Sequence, residues 1–94
     1  MNDRPSGLTG AQKRVLKSRA HLLEAVVRIG QGGVTAAVLK SVDLALTQHE
    51  LVKVRFTDFK KERKTLAAQI AEATSSALIQ QVGNVVVFFR ARIA

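Results

Sequence analysis

The stretch "VVRIGQGGVTAAVLK", residues 26–40, decides how the rest of the chain is read. It opens within "AVVRIG", which is rich in β-branched residues and stops at a glycine, and so predicts a strand over residues 25–29. Three of the chain's six glycines follow within four positions, at Gly30, Gly32 and Gly33. From Val34 to about Gln48, the residues Val34, Val38, Leu39, Val42, Ala45 and Leu46 recur at helical spacing with Lys40, Asp43 and Thr47 opposite. That is a helix with one core-facing stripe; Ala37 and Leu44 fall off it. A strand, a glycine turn and a helix in succession also form the setting in which backbones cradle phosphates. The dinucleotide fingerprint fails because the sixth position is Thr35, and no P-loop pattern exists. What remains is G-x-x-G, as Gly30, Gln31, Gly32 and Gly33. Without Cβ atoms such a loop admits a sugar-phosphate backbone beside a helix N-terminus, but a turn needing positive φ explains the same glycines. On these four residues the two readings stand level.

Upstream, "LTGAQKRVLKSRAHLL" offers Thr9 as an N-cap with Gln12 three residues later, the capping-box spacing, and predicts a helix from about Gly10 to Leu23. At about 100° per residue, Val15, Leu16, Ala20, Leu22 and Leu23 share a core-facing arc with Arg19 at its edge, and Lys13, Arg14, Lys17 and His21 share another. Downstream, "LVKVRF" at residues 51–56 alternates, with Val52, Val54 and Phe56 facing the core and Leu51, Lys53 and Arg55 on a wet or ligand-facing side. Residues 58–73 place Phe59, Leu66, Ile70 and Ala73 on one helical stripe and Lys60, Lys61 and Lys64 on the other. "SALIQQVGNVVVFFRAR" reads as two strands around Gly83-Asn84, a hairpin turn. The order is α-β-α-β-α-β-β, an α/β (α+β) domain. Its helix-linked strands are expected to pair in parallel through crossovers and its last two to be antiparallel, in a mixed four-stranded sheet packed with helices.

At 94 residues the chain is expected to be one domain, over residues 8–94, behind a flexible lead at residues 1–7. Its 47% apolar and 23% charged residues are those of a folded globule. With no cysteine, thiolate nucleophiles and Cys-based metal sites are excluded, and a cytoplasmic setting is expected. The longest apolar run, "VVVFF", is too short to span a bilayer, so no membrane association is expected. The loudest signal is charge. Fifteen Lys and Arg against seven Asp and Glu give a formal +8, which points to a polyanionic partner, nucleic acid first. Lys13, Arg14 and Lys17, then Lys60, Lys61 and Lys64, each lie on one helix side at spacings of three and four. Together with the glycine loop they suggest a distributed phosphate-binding surface. Four phenylalanines without Trp or Tyr argue against a base-stacking platform, and recognition should rest on backbone, shape and charge. The two histidines, His21 and His49, form no ligand motif, and the carboxylates are scattered among basic neighbours. The expectation is a protein without catalysis, metal or cofactor.

The order and spacing of "LT-x-x-Q-K", "IG-x-x-G", "HELVKV" and a late "GN-x-x-x-x-x-R" resemble the CRM domain family, the YhbY-like proteins, over residues 8 to 92. The resemblance implies a core like the C-terminal domain of translation initiation factor three, and RNA binding without catalysis. It further implies association with ribosomal RNA in precursors of the large ribosomal subunit and a role in its assembly; the free protein is expected to be a monomer. A bare chain of this length without a transit peptide resembles the bacterial kind, whereas plant relatives place the domain in larger proteins that promote intron splicing. An RNA-chaperone role, or a basic protein-interaction module on an acidic partner, are the alternatives. The family's loop falls on Gly30, Gln31, Gly32 and Gly33, and its basic first helix on Lys13, Arg14 and Lys17. Gln31 stands where many members carry lysine, so the loop tip lacks a charge; Phe89 stands where many carry tyrosine.

Overall fold

The computed structural model describes residues 8–91; the lead expected at residues 1–7 lies outside them. Thr9 caps α1 (Gly10–Ala20) through the predicted reciprocal box: Gln12 N–H donates to Thr9 Oγ1 at 3.0 Å, and Thr9 N–H donates to Gln12 Oε1 at 2.8 Å. The helix stops at Ala20 instead of Leu23, because the chain turns there to reach the sheet. Three turns laid on a sheet bury only a narrow stripe, Leu16 and Ala20, four residues apart. Val15, Leu22 and Leu23, expected in the core, are exposed, Leu22 at 88%.

The remaining elements are β1 (Val27–Ile29), α2 (Ala36–His49), β2 (Leu51–Phe56), α3 (Arg63–Thr74), β3 (Ala77–Val82) and β4 (Val85–Phe89). They form one mixed sheet in the order β1-β2-β4-β3. α2 makes the crossover that lets β1 and β2 run parallel, with Val27 beside Val54 and Ile29 beside Phe56. β4 enters antiparallel between β2 and β3, so the α3 crossover passes over a strand added later. Gly83, at φ +58, occupies the first central position of the two-residue β3–β4 turn, where a side chain would be strained.

Strand alternation sorts the core into two layers. Val27, Ile29, Val52, Val54, Phe56, Val86 and Phe88 face α2 and α3, meeting Val42, Ala45, Leu46, Ala67 and Ile70. Each fully buried phenylalanine there contributes about 2–3 kcal/mol of transfer free energy. On the other face Leu51, Ile79 and Val87 meet Leu16 and Ala20 of α1. The side of β2 expected to be wet is therefore half covered: Leu51 is only 3% exposed, because α1 packs on it from far away in sequence.

α3 begins at Arg63, five residues after the expected start. Phe59 sits at φ +57, in the left-handed region, and a right-handed helix cannot pass through such a residue. Lys60 and Lys61 consequently lie in a turn and not on the helix, and Ala73, placed on the apolar stripe by periodicity, is exposed while Thr74 is buried. No helix among the described residues is long and apolar enough to cross a membrane.

Candidate functional site

The glycine loop joins β1 to α2 at the carboxyl end of the two parallel strands, where ligand sites of helix-connected parallel strands tend to form. Gly33 N–H donates to Gly30 O at 2.9 Å and closes the turn. The three glycines are not equivalent. Gly33 is at φ +70, a left-handed conformation that side chains rarely adopt, while the Phe59 ring lies at ordinary contact distance, 3.5 Å, from where a Cβ would be. The turn itself therefore requires a glycine at this position. Gly30 and Gly32 have no such backbone demand: a Cβ would come no closer than 3.5 Å to Thr57 Oγ1 or 3.7 Å to Thr35 Cγ2, both ordinary contacts. The fold explains one glycine of three. Thr35 then caps α2, its hydroxyl accepting from Val38 N–H at 3.1 Å, and no acidic residue occupies the first turn. The positive end of the α2 dipole faces out beside Gly32 uncompensated.

Two further loops lie at the same end of the sheet. After β2, Thr57 N–H and Asp58 N–H both donate to Ile29 O, at 2.9 and 3.3 Å, and Thr57 Oγ1 donates to the same oxygen at 3.1 Å. That ties the segment 57–62 to the end of β1 and sets the strained Phe59 against Gly33. The third loop is the hairpin tip, where Asn84 O accepts from Phe56 N–H at 2.7 Å and Asn84 Oδ1 accepts from Arg63 Nη1 at 3.0 Å. Arg63 thus pins the start of α3 to the hairpin, a role hidden in the sequence as one cation of "KKERK".

This arrangement sets the loop of Gly30, Gln31, Gly32 and Gly33 against the segment that carries Lys60 and Lys61 and leads into Lys64 in the first turn of α3, with Gln31, Gly32 and the three lysines exposed. Lys13, Arg14 and Lys17 are carried elsewhere: α1 packs on β2 and β3 across the sheet from α2 and α3, with Lys17 half-buried. None of these six cations has a carboxylate partner among the described residues. Their charge is left for a ligand or for water. Among the described residues no three His, Asp or Glu side chains gather as a metal site would require.

Arg90, the last residue of the "GN-x-x-x-x-x-R" pattern, is by contrast fully engaged. Its Nη1 donates to Asp43 Oδ1 and to Thr74 O, both at 2.7 Å, and its Nη2 donates to Asp43 O at 3.0 Å and Thr47 Oγ1 at 2.9 Å. It locks α2 to the end of α3. Because Asp43 is 58% exposed, the ion pair itself adds little, and most of the gain lies in the fork of hydrogen bonds. Arg90→Ala is expected to lower stability by about 1–3 kcal/mol, read as a lower denaturant midpoint, with Arg90→Lys recovering only a minor part. An unchanged midpoint in Arg90→Ala would remove this assignment.

A family model described as the CRS1 / YhbY (CRM) domain matches residues 8–90. A Bacillus subtilis (strain 168) protein named "Probable RNA-binding protein YqeI" is 34% identical over 84 residues, spanning 88% of both chains. A Haemophilus influenzae protein named "RNA-binding protein" is 38% identical over 84 residues, or 88% of this chain and 85% of its own. Among solved structures, the Staphylococcus aureus protein SAV1595 superposes with a TM-score of 0.78 at 38% identity, covering 93% of this chain and 92% of that one.

Proposed function

The chain belongs to the CRS1/YhbY (CRM) domain family, and from that premise we propose that it is a non-catalytic RNA-binding protein that docks on structured ribosomal RNA and assists assembly of the large ribosomal subunit. The observation that carries the reading is the loop cluster: two glycines the fold does not demand, an open helix N-terminus, and three exposed lysines without a carboxylate partner among the described residues lie at one end of the sheet. A phosphate backbone lying across Gly32 can take backbone N–H groups at the start of α2 while Lys60, Lys61 and Lys64 neutralise its flanks. Gln31 adds no charge at the tip, so this contact depends on close approach more than on Coulomb attraction. The relatives named as RNA-binding proteins support the partner class; the ribosomal role follows the family resemblance and calls for its own test.

That test is sedimentation of extract from cells carrying the tagged chain. The protein is expected to travel with precursors of the large subunit at low salt and to leave them as salt rises, since each neutralised phosphate releases counterions. A chain that stays at the top of the gradient at both salt concentrations contradicts the ribosomal reading, whether or not it binds RNA in isolation. Travel with a complex that survives ribonuclease would instead identify an acidic protein as the partner.

A further inference from the structure

The face of the sheet that carries α1 is open at one end, and two arginines lie there side by side. Val27 and Ile29 point into the core beneath α2, so Arg28 between them points the other way; Val54 and Phe56 do the same for Arg55. The parallel register makes Arg28 and Arg55 direct partners. Both are exposed, and neither has a hydrogen-bond or carboxylate partner among the described residues. Like charges directly opposite across two strands destabilise a sheet, so the fold gains nothing from this pair. Lys53, two residues earlier on the same face, differs: its ammonium donates to Leu23 O at 2.8 Å.

The row continues across the sheet. Arg55 pairs with Val85 of β4, and Val85 pairs with Val82 of β3, which is 61% exposed. α1 stops short of this row, since its contacts are at Leu51, Ile79 and Val87, nearer the other end. Each member also sits close in sequence to the loop cluster: Arg28 precedes Gly30 by two, Arg55 precedes Thr57 by two, and Val82 and Val85 flank the Gly83-Asn84 tip. The row is therefore the continuation of the candidate site onto the α1 side of the sheet.

We propose that Arg28 and Arg55, with Val82 and Val85 beside them, bind unpaired nucleotides that lead away from the structured RNA element held at the glycine loop. This rests on the RNA-binding reading above and extends it to a second contact. The guanidinium planes take phosphate oxygens in a fork and offer flat surfaces to bases, while the two valines provide an apolar floor that a phosphate-only site has no use for. Removing the pair should leave the fold unharmed, because it relieves repulsion.

The test compares two RNA probes, a duplex hairpin and the same hairpin with a single-stranded tail, against the wild-type chain and Arg28→Gln/Arg55→Gln. The wild type is expected to prefer the tailed probe by about tenfold. The double variant is expected to lose that preference, keep its affinity for the bare hairpin, and show a tail-dependent salt slope smaller by about 1.4, at roughly 0.7 per phosphate on a single strand. Its thermal midpoint should equal or exceed the wild type's. A variant that retains the preference, or a wild type that never had one, overturns this inference and leaves RNA binding intact. Failure of the wild type to bind either probe overturns the RNA reading as well.

Discussion

Gly32→Asp is expected to reduce RNA affinity by at least about 30-fold while shifting folding stability by no more than about 0.5 kcal/mol. The position is exposed, has no positive φ, and leaves room for a Cβ, so the folded chain accepts a side chain there. A phosphate lying over the turn does not: the carboxylate repels it and its bulk holds it off the amides at the start of α2. Gly32→Ala removes only the close approach and should cost about tenfold. Gly33→Ala gives the opposite pattern. Its φ of +70 imposes a left-handed strain of about 1–2 kcal/mol on any residue with a Cβ, so stability falls first. Equal RNA affinity for Gly32→Asp and wild type, measured at one salt concentration, returns the loop to a mere turn.

The second large effect separates the two lysine clusters. Lys60→Gln/Lys61→Gln/Lys64→Gln and Lys13→Gln/Arg14→Gln/Lys17→Gln each lower the formal net charge from +8 by three, so long-range attraction drops equally in both. The first triple removes cations next to the glycine loop; the second removes cations from a helix on the other face of the sheet. The loop triple is expected to weaken hairpin binding by about 30- to 100-fold and to lower the salt slope by about 2 to 3, as for lost phosphate contacts. The helix triple should cost several-fold less. The reverse ranking would move the main contact to α1.

Much of the architecture is legible because its signals are local. Thr9 and Gln12 announce their own capping box, Gly83-Asn84 its hairpin, and the stripe from Val34 to Leu46 its helix, each within a few residues. What the sequence hides depends on partners far along the chain. Leu51 looks wet until α1 covers it, and Leu22 and Leu23 look apolar and helical until the helix ends before them. Leu66 and Ile70 keep helical spacing because they lie on α3, but Phe59 shares it by coincidence, since its left-handed backbone precedes the helix and leaves Lys60 and Lys61 in a turn. The insertion of β4 between β2 and β3 has no sequence marker either.

The candidate site shows the same division. The G-x-x-G pattern and both lysine clusters are visible as letters, but whether a glycine serves the turn or the ligand is a question of φ and of neighbouring atoms. Only there do Gly32 and Gly33 part company. Arg63, bound to Asn84, and Arg90, bound to Asp43, Thr47 and Thr74, read as two more cations in a basic chain; geometry assigns both to holding the structure together. Arg28 and Arg55 read as alternating surface charges until register places them side by side.

The most direct test of the central claim is a titration of the isotope-labelled chain with the tailed RNA hairpin, followed amide by amide by nuclear magnetic resonance. The largest perturbations are predicted at residues 30–37 and 57–64, with a second set at Arg28, Arg55, Val82 and Val85 that is absent with the untailed hairpin. Perturbations confined to α1, with the amides of Gly30 to Gly33 unmoved at saturation, would contradict the account.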